Sequence, residues 1–423
     1  MSLFSSVYAE RNAEVRAALD SVRSPSPSRV EEILAHSQSV STDALSLSEL
    51  AELLQIGATP DSEAQFDLLR AHTRRLWRAP SGNRVRYVSP IYVSSYCVDA
   101  CPYCNFSALR KDTVRYRLSP AELDREIASV LARDARVVEL VYATDPEYDT
   151  ALLVRDVSRA VRAVEDLEGG GVLLCTEYLS SQAYEALAGA GLRGIIQWDE
   201  TLDEHAYARW HSASPRKADF RARMDNHDRA LAAGLEVATG ALFGLSGFRY
   251  DALMQIARAR YIAEAYGRAP FVMGTARLKP IAGRELRLET TVSDRAHETA
   301  LMVYKIALPS VGRWLQTRET FQMNLRNLLD GDVYTYSCGD VQPGGYTQIN
   351  TTSIAGAQFG VNELERDYVD RELAGQGFRI DYGWMTASRA RNSAAISPAA
   401  LRASSTFSGA KLIAPTRACP PPP

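Results

Sequence analysis

The stretch Val88–Ser107 reads VSPIYVSSYCVDACPYCNFS. It opens as an apolar, β-branched and aromatic run of the kind that favours a strand. It then breaks into a loop in which Cys97 and Cys101 are separated by three residues and Cys101 and Cys104 by two. A strand that ends in a cluster of metal-ligating side chains predicts a barrel site. In TIM-type barrels the chemistry is built at the C-terminal ends of the strands.

Working outward, strand-like runs recur at 136–144, 171–178, 193–199, 236–245, 271–278, 311–317 and 332–338, after the first at 88–95. Amphipathic helical stretches lie between most of them. The first of these opens with SPAE, in which Ser119 and Glu122 have capping-box spacing and Pro120 takes the first helical position. Eight βα units predict a (β/α)8 TIM-type barrel in the α/β class. A doubly wound open sheet is disfavoured, because no G-x-G-x-x-G follows the first strand. Residues 1–83 predict N-terminal helices, with a second capping box at Ser46 and Glu49. The barrel is expected over 84–350, a segment closing it over 351–385, and a disordered C-terminal extension rich in Ser, Ala, Arg and Pro over 386–423.

Composition narrows the class. The 423 residues carry 48 Lys+Arg against 51 Asp+Glu, so no basic excess invites nucleic acid. No apolar run approaches the roughly 20 residues of a membrane span, and the first residues lack the apolar stretch of a signal peptide. A cytoplasmic protein with no nucleic-acid or membrane partner is expected. The six cysteines (Cys97, Cys101, Cys104, Cys175, Cys338 and Cys419) are too few in so long a chain for a disulfide scaffold. Three within eight residues suggest metal or cluster ligands. Structural zinc wants four ligands, usually as two pairs, and no fourth Cys or His lies near. Three cysteines on one loop suit a [4Fe–4S] cluster with one iron left open. A zinc-stabilised, metabolite-binding barrel stays as the alternative.

The cysteine loop resembles the C-x-x-x-C-x-aromatic-C motif of the radical S-adenosylmethionine (SAM) superfamily, with Tyr103 as the aromatic residue. That resemblance implies that S-adenosyl-L-methionine chelates the open iron and is reductively cleaved to a 5′-deoxyadenosyl radical. It also implies electrons from a flavodoxin or ferredoxin type donor. Within the superfamily, PIYVSSYC, IIQWDETLDEHAYARWH, ADFRARMDNHDRALAAGL, GALFGLSGFRYD, ARLKP, TRETFQMNLR and QPGGY resemble, in order, stretches of the aromatic-amino-acid lyases. The resemblance spans roughly 45–385.

It implies roles for particular residues. Cys97, Cys101 and Cys104 hold the cluster. Tyr103, Thr144, Glu200 and Arg223 lie against SAM. Thr144 or Asp145 stands where the family carries a Gly-Glu pair. Tyr92, Arg318 and Ser337 face the substrate, a small-molecule amino acid. Arg318 suits its carboxylate because guanidinium is a planar two-pronged donor. Gly240 and Gly244 would let backbone approach the nucleoside. Cys175 and Cys338 are expected as packing residues. Arg277 and Lys279, at the end of strand six, are expected among the polar groups at the barrel mouth. The expected activity is cleavage of a carbon–carbon bond at Cα of a free aromatic amino acid. The first reading is tryptophan to 3-methyl-2-indolic acid in peptide natural-product (antibiotic) biosynthesis; the alternative is tyrosine to 2-iminoacetate and p-cresol. The single Cys419 in the tail disfavours a second C-terminal cluster.

Overall fold

Strand β1, Asn83–Ser94, is the seam on which the architecture closes. Its upper half pairs in parallel with β2 (Val137–Tyr142) and its lower half with β8 (Val333–Thr335). Between them run β3 (Gly171–Cys175), β4 (Gly194–Ile196), β5 (Glu236–Gly240), β6 (Val272–Gly274) and β7 (Gly312–Leu315), each parallel to the next. The result is a closed eight-stranded parallel barrel with helices outside, the expected (β/α)8 form. The computed structural model describes residues 3–39, 45–79, 82–279, 291–335, 341–347, 357–360 and 366–385. Ser337, Cys338, Cys419 and the tail from 386 lie outside them.

Alternation along β2 shows how the barrel fills. Val138, Leu140 and Tyr142 join the layer beneath the helices, while Val137, Glu139 and Val141 point inward. An apolar plug of Val88, Val137, Leu173, Ile196, Ala238 and Val333 closes the lower barrel. Two strands are shorter than the apolar runs suggested: β4 and β6 are three residues each. The remaining apolar residues of those runs, such as Trp198 and Ala276, continue past the ladder as walls of a cavity.

One strand had no sequence signal. Phe378–Asp381 forms β9, which pairs in parallel with Asn83–Arg86 below the point where β2 begins. It delivers Trp384, fully buried, into the plug, where its indole N–H donates to the Tyr87 carbonyl at 3.1 Å. The end of the described chain therefore seals the barrel floor, opposite the cysteine loop.

Four N-terminal helices, Phe4–Asp20, Pro27–Ser39, Leu47–Ala58 and Glu63–Trp77, pack beside the barrel. Both capping boxes form: Ser46 with Glu49 and Ser119 with Glu122. The first helix is anchored at its start by Asp225, which accepts from the Ser5 N–H at 2.9 Å. Among the described residues, no helix is long and apolar enough to cross a membrane.

Candidate functional site

The cysteine loop is fixed by Asp99, which lies between the first two cysteines and is buried. One of its oxygens accepts from the Arg216 and Lys217 N–H groups at 3.0 and 3.1 Å, the other from the Thr144 hydroxyl at 2.6 Å. The Ala100 N–H donates to the Ser214 hydroxyl at 2.9 Å. Arg115 caps the carbonyls of Phe106 and Ser107 at 2.7 and 2.8 Å. The loop is thus tied to β2 on one side and to the 214–217 segment on the other.

This holds Cys97, Cys101 and Cys104 on the wall of one cavity at the C-terminal end of the barrel. Burial pushes the Cys101 thiol up to about 12, and Cys104 adds to the rise. Three thiolates in such a place need positive charge beside them, as iron would supply. Among the described residues, no three His, Cys, Asp or Glu side chains converge on a single-ion point. A cluster differs from a lone zinc in that each cysteine binds its own iron, so the donor set fits a cluster.

Beside the cysteines is a cluster of buried charges. Lys217 Nζ lies 2.5 Å from Glu200 Oε1, and Arg223 pairs closely with Glu177 and donates to the Trp198 carbonyl at 2.7 Å. Burial alone would raise the Glu200 carboxyl, but Lys217 and Arg223 outweigh it and hold the group down at about 2. Glu200 adopts a left-handed φ of +65°, a conformation that costs energy for a side chain with a Cβ and is concentrated at functional sites. Tyr103 is buried, and its hydroxyl is 2.6 Å from His211 Nε2. Tyr103, Thr144, Glu200 and Arg223 all line the cavity.

Tyr92 and Arg318 line the same chamber, Tyr92 packed in one apolar cluster with Cys97 and Cys104. The Tyr92 hydroxyl donates to Gln358 Oε1 at 2.9 Å, and its ring meets Phe106 edge-on. The Arg318 guanidinium lies 3.7 Å over the Phe359 ring. One chamber therefore gathers nine of the ten expected site residues, the three cysteines among them; Ser337 is the tenth and lies outside the described residues.

Several expectations are corrected. Asp145 does not reach the chamber. It turns outward to Arg117, at 2.8 Å through each of two nitrogens, and to Ser94. Cys175 packs against two apolar clusters, as expected, and in addition lines the chamber. Gly240 serves strand packing, because a Cβ there would sit 2.6 Å from Gly274 Cα on β6. Arg277 and Lys279 also turn away, to Glu319.

Glu139, Glu177, Lys217, Gln358 and Phe359 were not foreseen as chamber residues. Glu139 had a signal, a lone carboxylate inside the apolar run RVVELVYAT. Gln358 and Phe359 had none, since only the fold brings them to Tyr92.

Residues 91–259 match the Radical SAM superfamily, and the match contains the whole cysteine loop. The chain carries a radical SAM domain. A radical SAM enzyme of this kind uses a [4Fe–4S] cluster and SAM, which decides against the zinc reading. The 2-iminoacetate synthase of Escherichia coli (strain K12) is 27% identical over 68% of this chain and 75% of its own length. The 3-methylornithine synthase of Methanosarcina acetivorans is 22% identical over 48% of this chain and 54% of its own. Among solved structures, the [FeFe]-hydrogenase maturase HydG from Carboxydothermus hydrogenoformans superposes with a TM-score of 0.78 at 22% identity, covering 90% of this chain and 86% of that one. Methylornithine synthase (PylB) does so with a TM-score of 0.66 at 18% identity, covering 85% of this chain and 99% of its own. Both structural likenesses are likenesses of fold.

Proposed function

We propose that this radical SAM enzyme is a lyase that breaks the Cα–Cβ bond of free L-tyrosine, giving 2-iminoacetate and p-cresol. The observation that carries the reading is the juxtaposition, in one chamber, of the three-cysteine loop with Arg318 and Tyr92. The resemblance to 2-iminoacetate synthases over two-thirds of the chain supports tyrosine above tryptophan. Bound at the loop, the cluster and SAM supply a 5′-deoxyadenosyl radical able to take a hydrogen atom from the substrate.

The chain's own residues bind, orient and exclude. Cys97, Cys101 and Cys104 hold the cluster. Glu200 and Glu177 face an ammonium group, and Lys217 and Arg223 a carboxylate, which together match the zwitterionic end of SAM. Tyr103 and Thr144 complete that wall. Arg318, stacked on Phe359, takes the substrate carboxylate, and Ser337 is assigned beside it. Tyr92 borders the amino acid. The apolar walls keep water from a reactive radical. Electrons come from a reduced flavodoxin or ferredoxin type protein.

Anaerobic incubation of the reconstituted enzyme with SAM, dithionite and each amino acid tests the reading. Mass spectrometry should find p-cresol from tyrosine. Formation of 3-methyl-2-indolic acid from tryptophan, with tyrosine inert, would replace it by the tryptophan reading and a place in peptide natural-product assembly.

A further inference from the structure

The lower chamber holds a carboxyl that the cluster, SAM and the substrate backbone leave unused. Glu139 projects inward from the middle of β2, one inward position below Val141 and so about 7 Å deeper along the strand. It is 6% exposed. Its nearest titratable partners are the Cys175 thiol from β3 and the Tyr92 phenol from β1, and Trp198 after β4, Trp314 from β7 and Thr335 from β8 line the same chamber. Among the described residues Glu139 has no ion pair; its polar partner is the Cys175 thiol. A buried carboxyl without a cation is costly as an anion. Burial accordingly pushes Glu139 up to about 8, with the Cys175 hydrogen bond opposing. At neutral pH the group is a neutral acid, able both to donate and to accept a hydrogen bond.

The floor is otherwise shaped for a flat ring. The Trp198 and Trp314 indoles meet edge-on with centroids 5.7 Å apart. A side chain on Gly274 would collide with Trp198, so a glycine at that place makes room for the indole. Glu139 on β2 and Arg318 in the segment after β7 both line the same chamber, the first suited to a polar ring substituent and the second to a carboxylate.

We propose that Glu139 determines substrate specificity, its carboxyl hydrogen-bonding a donor carried by the substrate's aromatic ring, the phenol O–H of tyrosine or the indole N–H of tryptophan. The inference rests on the lyase reading and adds to it the class of side chain accepted: an aromatic ring bearing a hydrogen-bond donor. A buried polar group left unpaired by an analogue lacking that donor makes the site reject the analogue.

The test compares wild type, Glu139→Gln and Glu139→Leu, each loaded with cluster and SAM, against tyrosine, tryptophan and phenylalanine. Titration calorimetry reads binding, and product formation reads turnover. Visible cluster absorption checks that each variant is intact. Wild type should prefer its ring-donor substrate over phenylalanine by at least about 100-fold in kcat/KM. Glu139→Leu should collapse that ratio to within about threefold, while Glu139→Gln, which can still donate and accept, should restore it to within about tenfold of wild type. The tyrosine and tryptophan arms show which ring is the native one. An unchanged ratio in Glu139→Leu, or an equal loss for all three amino acids, would overturn the assignment. If wild type forms no product from any of them, the lyase reading falls; the Glu139 assignment still stands if a binding preference over phenylalanine disappears in Glu139→Leu, and falls with it if no such preference exists.

Discussion

Arg277 and Glu319 clasp each other in a two-pronged ion pair, with Nε–Oε1 at 2.8 Å and Nη2–Oε2 at 2.5 Å. Glu319 follows Arg318 directly, and Lys279 donates to the Arg318 carbonyl at 2.7 Å and to Glu319 at 2.9 Å. The chain beyond β6 therefore grips the chain beyond β7 at the residue that enters the chamber. Neighbouring residues divide the work: Glu319 fastens the backbone outside, which leaves the Arg318 side chain aimed inside.

Glu319→Gln should consequently disturb Arg318 without removing it. Breaking a buried pair costs about 3–5 kcal/mol, and retention of the Asp294 contact by Arg277, at 2.9 Å, puts the loss near the lower end. kcat/KM should fall about ten- to a hundredfold through misplacement of Arg318, chiefly through a higher KM. The effect should also depend on pH. Burial raises the Glu319 carboxyl, but Arg277, His297 and Lys279 outweigh it and hold the group at about 2. Its stabilisation is complete above the ordinary carboxylate value of 4.5 and is lost as pH falls toward 2. The melting-temperature gap between wild type and Glu319→Gln should be full at pH 5.5 and smaller at pH 3.

Alanine at Cys97, Cys101 or Cys104 should each abolish the visible iron–sulfur absorption and 5′-deoxyadenosine formation. Cys175→Ala is the control that separates the cysteines, since Cys175 sits at the end of β3, outside the 97–104 loop, and partners Glu139. It should keep both signals. Iron and sulfide analysis beside a SAM-cleavage assay checks the contrast.

Arg318→Ala should spare the cluster and SAM cleavage but lower product yield about a hundredfold or more, because the amino acid loses its carboxylate anchor. Arg318→Lys should recover little, since a point charge lacks the planar fork and the stacking on Phe359. The ratio of product to 5′-deoxyadenosine is the informative measurement, and a normal ratio in Arg318→Ala would remove the assigned role.

Gly274→Ala places a methyl 2.5 Å from the Trp198 ring atoms Cε3 and Cζ3. Overpacking of this kind costs about 1–3 kcal/mol. The indole must shift within the chamber floor, so the melting temperature should fall and KM for the amino acid should rise, while cluster absorption stays unchanged.

Much of this was legible in the chain because the signals are local. The spacing Cys97, Cys101, Cys104 states its chemistry within eight residues, and eight alternating runs state a barrel. Capping boxes at Ser46 and Ser119 marked helix starts correctly, because a cap involves only the residues of its own turn. The boundaries of β4 and β6 were overextended, since an apolar residue looks the same whether it lies in the ladder or on a cavity wall.

What the sequence determined alone was the fold class, the spacing of the three-cysteine loop and the kinship with SAM-dependent radical enzymes. What only the tertiary structure decided was direction: Asp145 turned out toward Arg117, Arg318 turned in while Glu319 turned out, Cys175 and Glu139 were brought face to face, and Phe378–Asp381 was carried back to β1. Those outcomes depend on contacts between residues far apart in the chain, whose energies are set by neighbours that no local window contains.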